Sequence, residues 1–271
     1  MKKILVINND YHLPEHVVDV ALQIAKEAQA TVFGLFVQSL KKEDEESYIF
    51  PSDINLTDVA YTKETVEEEN LELENANIKI FKDACDLANI PCKIHSVHEN
   101  FLDALIDHSA FADIIICDAE SAPAHYSFNT FLAQSHCPVL LVTREFTKVH
   151  NIIFTYDDKP SSIHAIKLFT YLFKFYRDHP VHLVSVVPVY ETDIEYADLI
   201  KEWIPLHYPN AKMIILKGVA KEEIPRYING LSNPLVIMGS FGRSSLSRFF
   251  KESLANLVLA KTNAPIFIAH D

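Results

Sequence analysis

Hydrophobic and polar positions alternate along this chain in two kinds of block. Short apolar runs, such as residues 4–7 and 235–238, have the length and character of buried strands. Longer segments, such as residues 17–28, repeat apolar side chains every three or four positions, which is typical of amphipathic helices. The pattern therefore predicts alternating strands and helices, an order that gives a parallel sheet covered by helices on both faces.

This pattern occurs twice. In the first half the predicted strands are residues 4–9, 31–37, 94–97, 113–117 and 137–142, and in the second half they are 152–156, 181–187, 213–216, 235–238 and 264–269. The predicted helices are residues 17–28, 57–87, 101–109, 165–175, 221–229 and a segment from about 253 onward. A strand-helix-strand order that recurs about 148 residues later indicates a tandem repeat, with domains at 1–148 and 149–271.

The segment after the strand 235–238 has the composition of an anion-binding loop. Its two glycines let the main chain turn tightly, and a helix is predicted to start close behind it. Such a junction exposes backbone N–H groups at the positive end of a helix, which suits a phosphate. The candidate ligand-binding residues of the loop are Gly239, Ser240, Gly242, Arg243 and Ser253.

The spacing in this loop resembles the nucleotide loop of the universal stress protein (UspA) family. ATP-binding members of that family carry Gly-x-x-Gly, nine residues, and then Gly-Ser or Gly-Thr. This chain has Gly239-x-x-Gly242, nine residues and Glu252-Ser253, followed by Pro265 before a terminal strand. The repeat extends the resemblance to nearly the whole chain. Glu252 replaces the third glycine of the family pattern, which puts a negative charge close to where a phosphate would lie.

The resemblance implies a fold for both halves. Each half is expected to be a doubly wound α/β domain with a five-stranded parallel sheet, Rossmann-like and adenine nucleotide alpha hydrolase-like. The two domains are expected to pair face to face through their terminal strands as an internal pseudo-dimer, and a homodimer is compatible with this arrangement. We therefore predict two separate sheets, split near residue 148, with residues 139–142 and 266–269 as edge or interface strands.

The resemblance also assigns two strand-end positions in the second half. It places Asp157 near the adenosine of a bound nucleotide and Val186 where backbone groups meet the adenine. Both residues are predicted at the carboxyl ends of strands, where ligands bind in open α/β sheets. Asp157 is also a candidate N-terminal cap of the following helix, a compatible role. Their equivalents in the first half are Asn9 and Val37.

The first half lacks the glycines of such a loop. No glycine lies between Gly34 and Gly218, and Asp118 occupies the position that corresponds to Gly239. Acidic side chains outnumber basic ones by 25 to 11 in residues 1–148, whereas the counts are 12 and 13 in residues 149–271. We therefore expect an adenine nucleotide such as ATP, or any phosphate or sulfate, to bind in the second half and not beside Asp118.

Charge and hydropathy limit the kinds of partner that this protein can have. A net charge of −13 argues against nucleic acid or an anionic membrane as the main partner. No apolar stretch approaches the length of a membrane span and no apolar signal is evident, so a soluble, cytoplasmic protein is expected. An acidic insertion at residues 41–89 is interpreted either as a solvated helix face or as a docking surface for a basic partner.

No metal site and no catalytic residue are predicted. The pairs His12 with His16 and His95 with His98 lack a third ligand at fixed spacing. The four cysteines show no Cys-x-x-Cys spacing, so reduced thiols are expected. The signatures of conventional hydrolases and kinases are missing, and ATP hydrolysis without a general base would at most be slow.

Two functions remain open at this point. The first is a stress-response protein that holds an adenine nucleotide in its second domain, with an affinity weakened by Glu252. The second is a nucleotide-free scaffold that acts through protein partners.

Overall fold

A computed structural model of the 271-residue chain describes residues 1–9, 13–37, 63–97, 101–120, 126–146, 148–190, 197–239 and 254–269. The first half contains β1 (Lys3–Asn9), α1 (Glu15–Ala28), β2 (Thr31–Val37), α2 (Lys63–Ala88), β3 (Cys92–Val97), α3 (Phe101–Ser109), β4 (Ile114–Asp118), α4 (Tyr126–Gln134) and β5 (Val139–Val142). The second half contains β6 (Asn151–Thr155), α5 (Pro160–Leu172), β7 (Val181–Val187), α6 (Ala197–His207), β8 (Lys212–Lys217), α7 (Ala220–Asn229), β9 (Pro234–Gly239), α8 (Leu254–Lys261) and β10 (Ile266–Ala269).

The strands form one sheet in the order β3-β2-β1-β4-β5-β10-β9-β6-β7-β8. Within each half the paired strands are parallel, so the predicted five-stranded parallel sheets are confirmed. β5 and β10 pair antiparallel, with Leu141 opposite Ile266 and Val139 opposite Ile268. The prediction of two separate sheets is therefore wrong, because the halves meet edge to edge and not face to face.

The pairing of β5 with β10 follows from the nature of these strands. Both are four-residue apolar strands with every side chain buried. Without a partner on the outer side, each would leave a row of backbone groups unpaired in an apolar setting. The two strands occupy equivalent positions in the repeat. A twofold rotation that exchanges the halves would therefore exchange the Leu141–Ile266 pair with the Val139–Ile268 pair. The predicted role of these strands as the interface between the halves is confirmed.

The strand registers match residue for residue between the halves. Ile4 of β1 lies opposite Val32 and Ile114, and Ile152 of β6 lies opposite Val181 and Leu235. The same registers make Asp118 the counterpart of Gly239, as the sequence spacing predicts.

Both faces of the sheet are covered by helices. Ile4 and Val6 of β1 are buried on one face, and Leu5 and Ile7 are buried on the other. Side chains of α1, α2, α5 and α6 pack in the first cluster, and side chains of α3, α4, α7 and α8 pack in the second. A strand that is buried on both sides contains apolar residues at consecutive positions, which explains the continuous apolar runs in the sequence.

Helix α2 contains the described part of the acidic insertion. Among its described side chains, the buried ones are spaced three or four positions apart: Glu74, Asn77, Phe81 and Cys85. Leu73, Ile80 and Leu87 are exposed by 43%, 50% and 87%. Residues 41–62 of the insertion lie outside the described residues. Within the described ranges, no helix combines the length and the apolar character that a membrane span requires.

Candidate functional site

The candidate site lies where the strand order of the second half reverses. β6 has β7 on one side and β9 on the other, so a crevice is expected at the carboxyl ends of these strands. Gly239 ends β9, Val186 lies near the end of β7, and Asp157 follows β6 by two residues. The Thr155 hydroxyl donates a hydrogen bond of 3.1 Å to the Ile237 carbonyl, which ties β6 to β9 below the crevice. Three of the sequence-predicted residues thus lie at one edge of the sheet.

Gly239 is in close contact with the first turn of α5. A Cβ atom at this position would lie 2.5 Å from the carbonyl carbon and oxygen of Ser161 and 2.6 Å from the Ser162 nitrogen. These are backbone atoms, so a rotation of a side chain cannot make room. The sequence predicts a glycine that permits a tight turn, but at Gly239 the structure shows a glycine required by the close approach of strand and helix. This is one of the roles that glycines play at nucleotide-binding strand-helix junctions.

Asp157 lies just beyond the carboxyl end of β6 and contacts Lys159. Its Oδ1 accepts a 3.3 Å hydrogen bond from the Lys159 N–H, and its Oδ2 lies 3.2 Å from the Lys159 Nζ. The N-cap of α5 is Lys159 itself, with no side-chain cap, and Pro160 is the first residue of the helix. The prediction that Asp157 caps this helix is therefore wrong. The Asp157 carboxylate is half exposed and can accept a hydrogen bond from a ligand hydroxyl.

The backbone beside Asp157 has an unusual conformation. Asp158 has a φ of 62°, in the left-handed region that non-glycine residues seldom adopt. Burial and a hydrogen bond with Asp158 raise the pKa of the Tyr156 hydroxyl above its usual range, so Tyr156 stays protonated. Sequence reasoning missed Lys159 and Ser161 at this edge. The Lys159-Pro160 pair at the start of a predicted helix was a sequence signal that could have pointed to Lys159. No sequence signal indicated the contact of Ser161 with Gly239.

Val186 is half-buried on β7, where it pairs with Leu216 of β8. Its side chain packs in the apolar cluster on the face of the sheet that α7 and α8 cover. The other predicted loop residues, Ser240, Gly242, Arg243 and Ser253, lie outside the described residues, as does Glu252. Helix α8 begins at Leu254, which agrees with the predicted helix start near residue 253.

The equivalent place in the first half is filled by side chains. Asp118 is 7% exposed, and its Oδ1 lies 3.2 Å from the Nε2 of His16 and accepts a 3.1 Å hydrogen bond from the Glu120 N–H. His16 is the second residue of α1, as Ser161 is the second residue of α5. A buried carboxylate and an imidazole thus lie at the position where the backbones of Ser161 and Gly239 touch in the second half.

One histidine of each pair considered in the sequence lies within the described residues. His16 pairs with Asp118, and His95 contacts the ring of His108 at 5.1 Å between centroids. His12 and His98 lie outside the described residues. In the part of the chain that the structure describes, no group of three or more His, Cys, Asp or Glu side chains is arranged to hold a metal ion.

Comparisons with known proteins agree with this fold. No family model matches the chain. The universal stress protein Slr1230 of Synechocystis is 26% identical over 222 residues, which cover 78% of this chain and 76% of that protein. The crystal structure of a universal stress protein from Archaeoglobus fulgidus matches with a TM-score of 0.71 at 14% identity, covering 99% of this chain and 96% of the other. The chain is thus similar to universal stress proteins in sequence and has the same fold.

A second solved structure extends the comparison. A functionally unknown protein from Pseudomonas aeruginosa matches this chain with a TM-score of 0.59 at 15% identity, covering 99% of this chain and 92% of the other. Both structural matches span the two halves, and the length of 271 residues fits a tandem-domain member.

Proposed function

We propose that this protein is a cytoplasmic stress-response protein that holds an adenine nucleotide, such as ATP, in its second domain. The nucleotide would bind at the carboxyl ends of β6, β7 and β9, beside Asp157, Val186 and Gly239. The observation that carries the proposal is the difference between Gly239 and Asp118 at equivalent positions of the repeat.

The charge at these positions favours the second crevice for a phosphate. A carboxylate about 4 Å from a phosphate repels it by about 1 kcal/mol in water-like surroundings and by about 4 kcal/mol at an effective dielectric constant near 20. Asp118 places a buried carboxylate at the first crevice. Gly239 places no side chain at the second, and the backbone of the first turn of α5 lies directly against it.

The same argument applies to Glu252, and it weakens the proposed affinity. Glu252 takes the place of the third glycine of the family loop, beside Arg243, Arg248 and Lys251 in the sequence. An unpaired carboxylate there would reduce ATP binding, whereas an ion pair with a neighbouring cation would restore part of it. We therefore expect the wild-type protein to bind ATP weakly or not at all.

Calorimetric titration with ATP tests the site. The Glu252→Gly background raises the affinity into a measurable range, and Asp157→Ala on that background then removes the acceptor proposed for the adenosine. Hydrogen bonds to charged groups contribute about 1.5–3 kcal/mol, so the affinity should fall by roughly tenfold to a hundredfold. The matched control is Asn9→Ala, the equivalent position of the first half, which should leave the affinity unchanged. An equal loss from both variants, or none from Asp157→Ala, would refute the proposed site.

The alternative function is a nucleotide-free scaffold that acts through protein partners, and α2 favours it. Leu73, Ile80 and Leu87 recur every seven residues on the exposed side of an acidic helix. A seven-residue apolar repeat is the pattern by which helices pair with one another. A basic amphipathic helix of a partner would match both the apolar spacing and the charge. Binding of such a peptide that is lost in Ile80→Lys would support the alternative.

A further inference from the structure

A patch of exposed apolar side chains lies on the second half, on the neighbouring helices α5 and α6. Leu199 and Leu206 of α6 are exposed by 64% and 71%, and Tyr171 of α5 is exposed by 50%. Trp203, between the two leucines in the sequence, is half-buried. Leu199, Trp203 and Leu206 are spaced by four and three residues, so they share one side of α6. These four residues are called the apolar patch below.

The ring of His207 joins the two helices of the apolar patch. Its centroid lies 4.2 Å from the centroid of the Trp203 ring and 6.2 Å from that of the Tyr171 ring. The patch is therefore one continuous surface that contains two aromatic residues. Contiguous exposed apolar surfaces mark places where another macromolecule binds, and Trp and Tyr are enriched among the residues that contribute most to protein interfaces.

The core of the second half does not account for the exposed leucines and tyrosine of the patch. Helix α6 buries a different side, which carries Ile200, Ile204 and Tyr208. Tyr171 is the twelfth residue of α5, and the twelfth residue of α1 in the first half is the exposed Lys26. The same position of the fold thus accepts a charged side chain in one half and carries an exposed tyrosine in the other.

The charges around the patch indicate which partner fits. Helices α5 and α6 together carry two basic side chains, Lys167 and Lys201, and two acidic ones, Asp198 and Glu202. The equivalent helices of the first half, α1 and α2, carry eleven acidic and four basic side chains. Two copies of this chain would repel each other through α1 and α2, whereas they meet no net repulsion through α5 and α6. A highly charged partner would find no complementary charge at the patch.

We propose that two copies of this chain form a dimer through the apolar patch, with their α6 helices antiparallel. In a twofold interface the same surface of both subunits is used, so each contact occurs twice. An axis that passes between positions 202 and 203 places Leu199 opposite the partner's Leu206. The two leucines of one helix are two turns apart, about 10.5 Å, so the two leucine contacts flank the tryptophans at the centre.

The ends of the antiparallel pair also match in charge. The same axis places Asp198 opposite the partner's His207, whose imidazole N–H can donate a hydrogen bond to the carboxylate. The Asp198 side chain is 96% exposed, and its contact with Lys201 is long, at 3.8 Å. A parallel pairing would instead place Asp198 beside the partner's Asp198, where like charges repel. The sequence of α6 thus favours the antiparallel arrangement.

The dimer is expected to be weak. Interfaces that bury less than about 1,200 Å² in total are typical of transient complexes, and a patch of four side chains on each copy belongs to this class. We expect a dissociation constant of roughly 10–100 µM. The patch shares no residue with the nucleotide site proposed above, so dimer formation and ATP binding can be tested separately.

Sedimentation velocity at chain concentrations from about 5 to about 500 µM tests the proposal. The wild type should shift from monomer to dimer as its concentration rises. Leu199→Glu and Leu206→Lys should each raise the dissociation constant at least about tenfold, because each places a charge against an apolar side chain of the partner. An equimolar mixture of the two variants should recover most of the association, since the new carboxylate of one variant then lies opposite the new ammonium group of the other.

The matched control is Ile80→Lys on α2. Ile80 is 50% exposed and lies in the first half, so this variant should dimerise like the wild type. Tyr171→Lys introduces the residue type that α1 has at this position, and it should weaken the dimer while the urea midpoint stays unchanged. A wild type that remains monomeric throughout the concentration range would overturn the proposal. A dimer that persists in both leucine variants, a mixture that stays monomeric, or loss of the dimer in Ile80→Lys would do the same.

Discussion

The two crevices at the carboxyl edge of the sheet differ in what lies between the fourth strand and the first helix of each half. In the second half, the backbone of Gly239 touches the backbone of Ser161. In the first half, the side chains of Asp118 and His16 meet at the same place. The strand registers below these points are equivalent. The sheet thus imposes the same strand register on both copies of the repeat, whereas the residues at the strand ends differ in size and charge.

The largest effect in this comparison is expected from Gly239→Ala. The added Cβ would lie 2.5 Å from backbone atoms of Ser161, so helix and strand must separate. Overpacking of this kind costs about 1–3 kcal/mol. Because the clash is with backbone atoms, we expect a loss in unfolding free energy of about 3 kcal/mol. Urea denaturation measures it.

Gly230→Ala is the matched control for this substitution. A Cβ at Gly230 would have its nearest contact at 3.4 Å, and the residue already has a helical φ of −83°. Alanine should therefore fit there and change the unfolding free energy by no more than about 1 kcal/mol. Equal denaturation midpoints for Gly239→Ala and the wild type would show that α5 can move away from β9 freely.

The next effect is expected from Asp118→Ala in the first crevice. This substitution leaves the Glu120 N–H without the bond it donates to the carboxylate, and it removes the partner of His16. Hydrogen bonds to charged groups contribute about 1.5–3 kcal/mol, so a loss of about 2 kcal/mol is expected. Thermal and urea unfolding measure it. The control is Asp157→Ala, whose half-exposed pair with Lys159 should contribute less than about 1 kcal/mol. Equal losses would contradict the contrast between the buried Asp118 carboxylate and the half-exposed Asp157 carboxylate.

Glu252→Gly tests the second half through its affinity for ATP. The substitution removes a carboxylate beside the proposed phosphate position and restores the glycine of the family loop. The Coulomb estimate of about 1 to about 4 kcal/mol corresponds to a rise in ATP affinity between about fivefold and about a thousandfold. Calorimetric titration of both proteins measures the change. Equal affinities, or tighter binding by the wild type, would show that Glu252 is no obstacle.

The sequence predicts what depends on local patterns. The described strands and most helices follow from apolar periodicity, and the equivalence of Asp118 and Gly239 follows from spacing alone. Pairing of β5 with β10 was predicted only as an interface, because periodicity does not show which strand edges meet. The contact of Gly239 with Ser161 depends on backbone packing between distant segments, which no local signal encodes. Asp157 does not cap α5, because Pro160 starts the helix two residues later than a cap at Asp157 requires.

The smallest effect concerns a histidine on β7 whose counterpart in the first half is Phe33. Burial, and then the charge of Lys212, lower the pKa of His182 below its ordinary value. As pH falls, the unfolded chain therefore takes up this proton before the native protein does, and the native state loses stability. The contribution is fully present above about pH 6.5 and is lost as pH falls through the lower pKa of the folded protein.

His182→Phe introduces the residue that the first half has at this position, Phe33. It should flatten the dependence of unfolding free energy on pH between about pH 7 and pH 5. Urea denaturation at a series of pH values measures the slope. The control is Tyr227→Phe, which removes the hydroxyl that lies 2.8 Å from the His182 Nδ1 but keeps the titrating ring. That variant should lower stability at every pH, because a part-buried hydrogen bond is lost, and it should keep a slope of the same sign. If His182→Phe keeps the full wild-type slope, the acid sensitivity must arise elsewhere, and His95, whose pKa is lowered by burial and by Lys3 and Lys93, is the next residue to substitute.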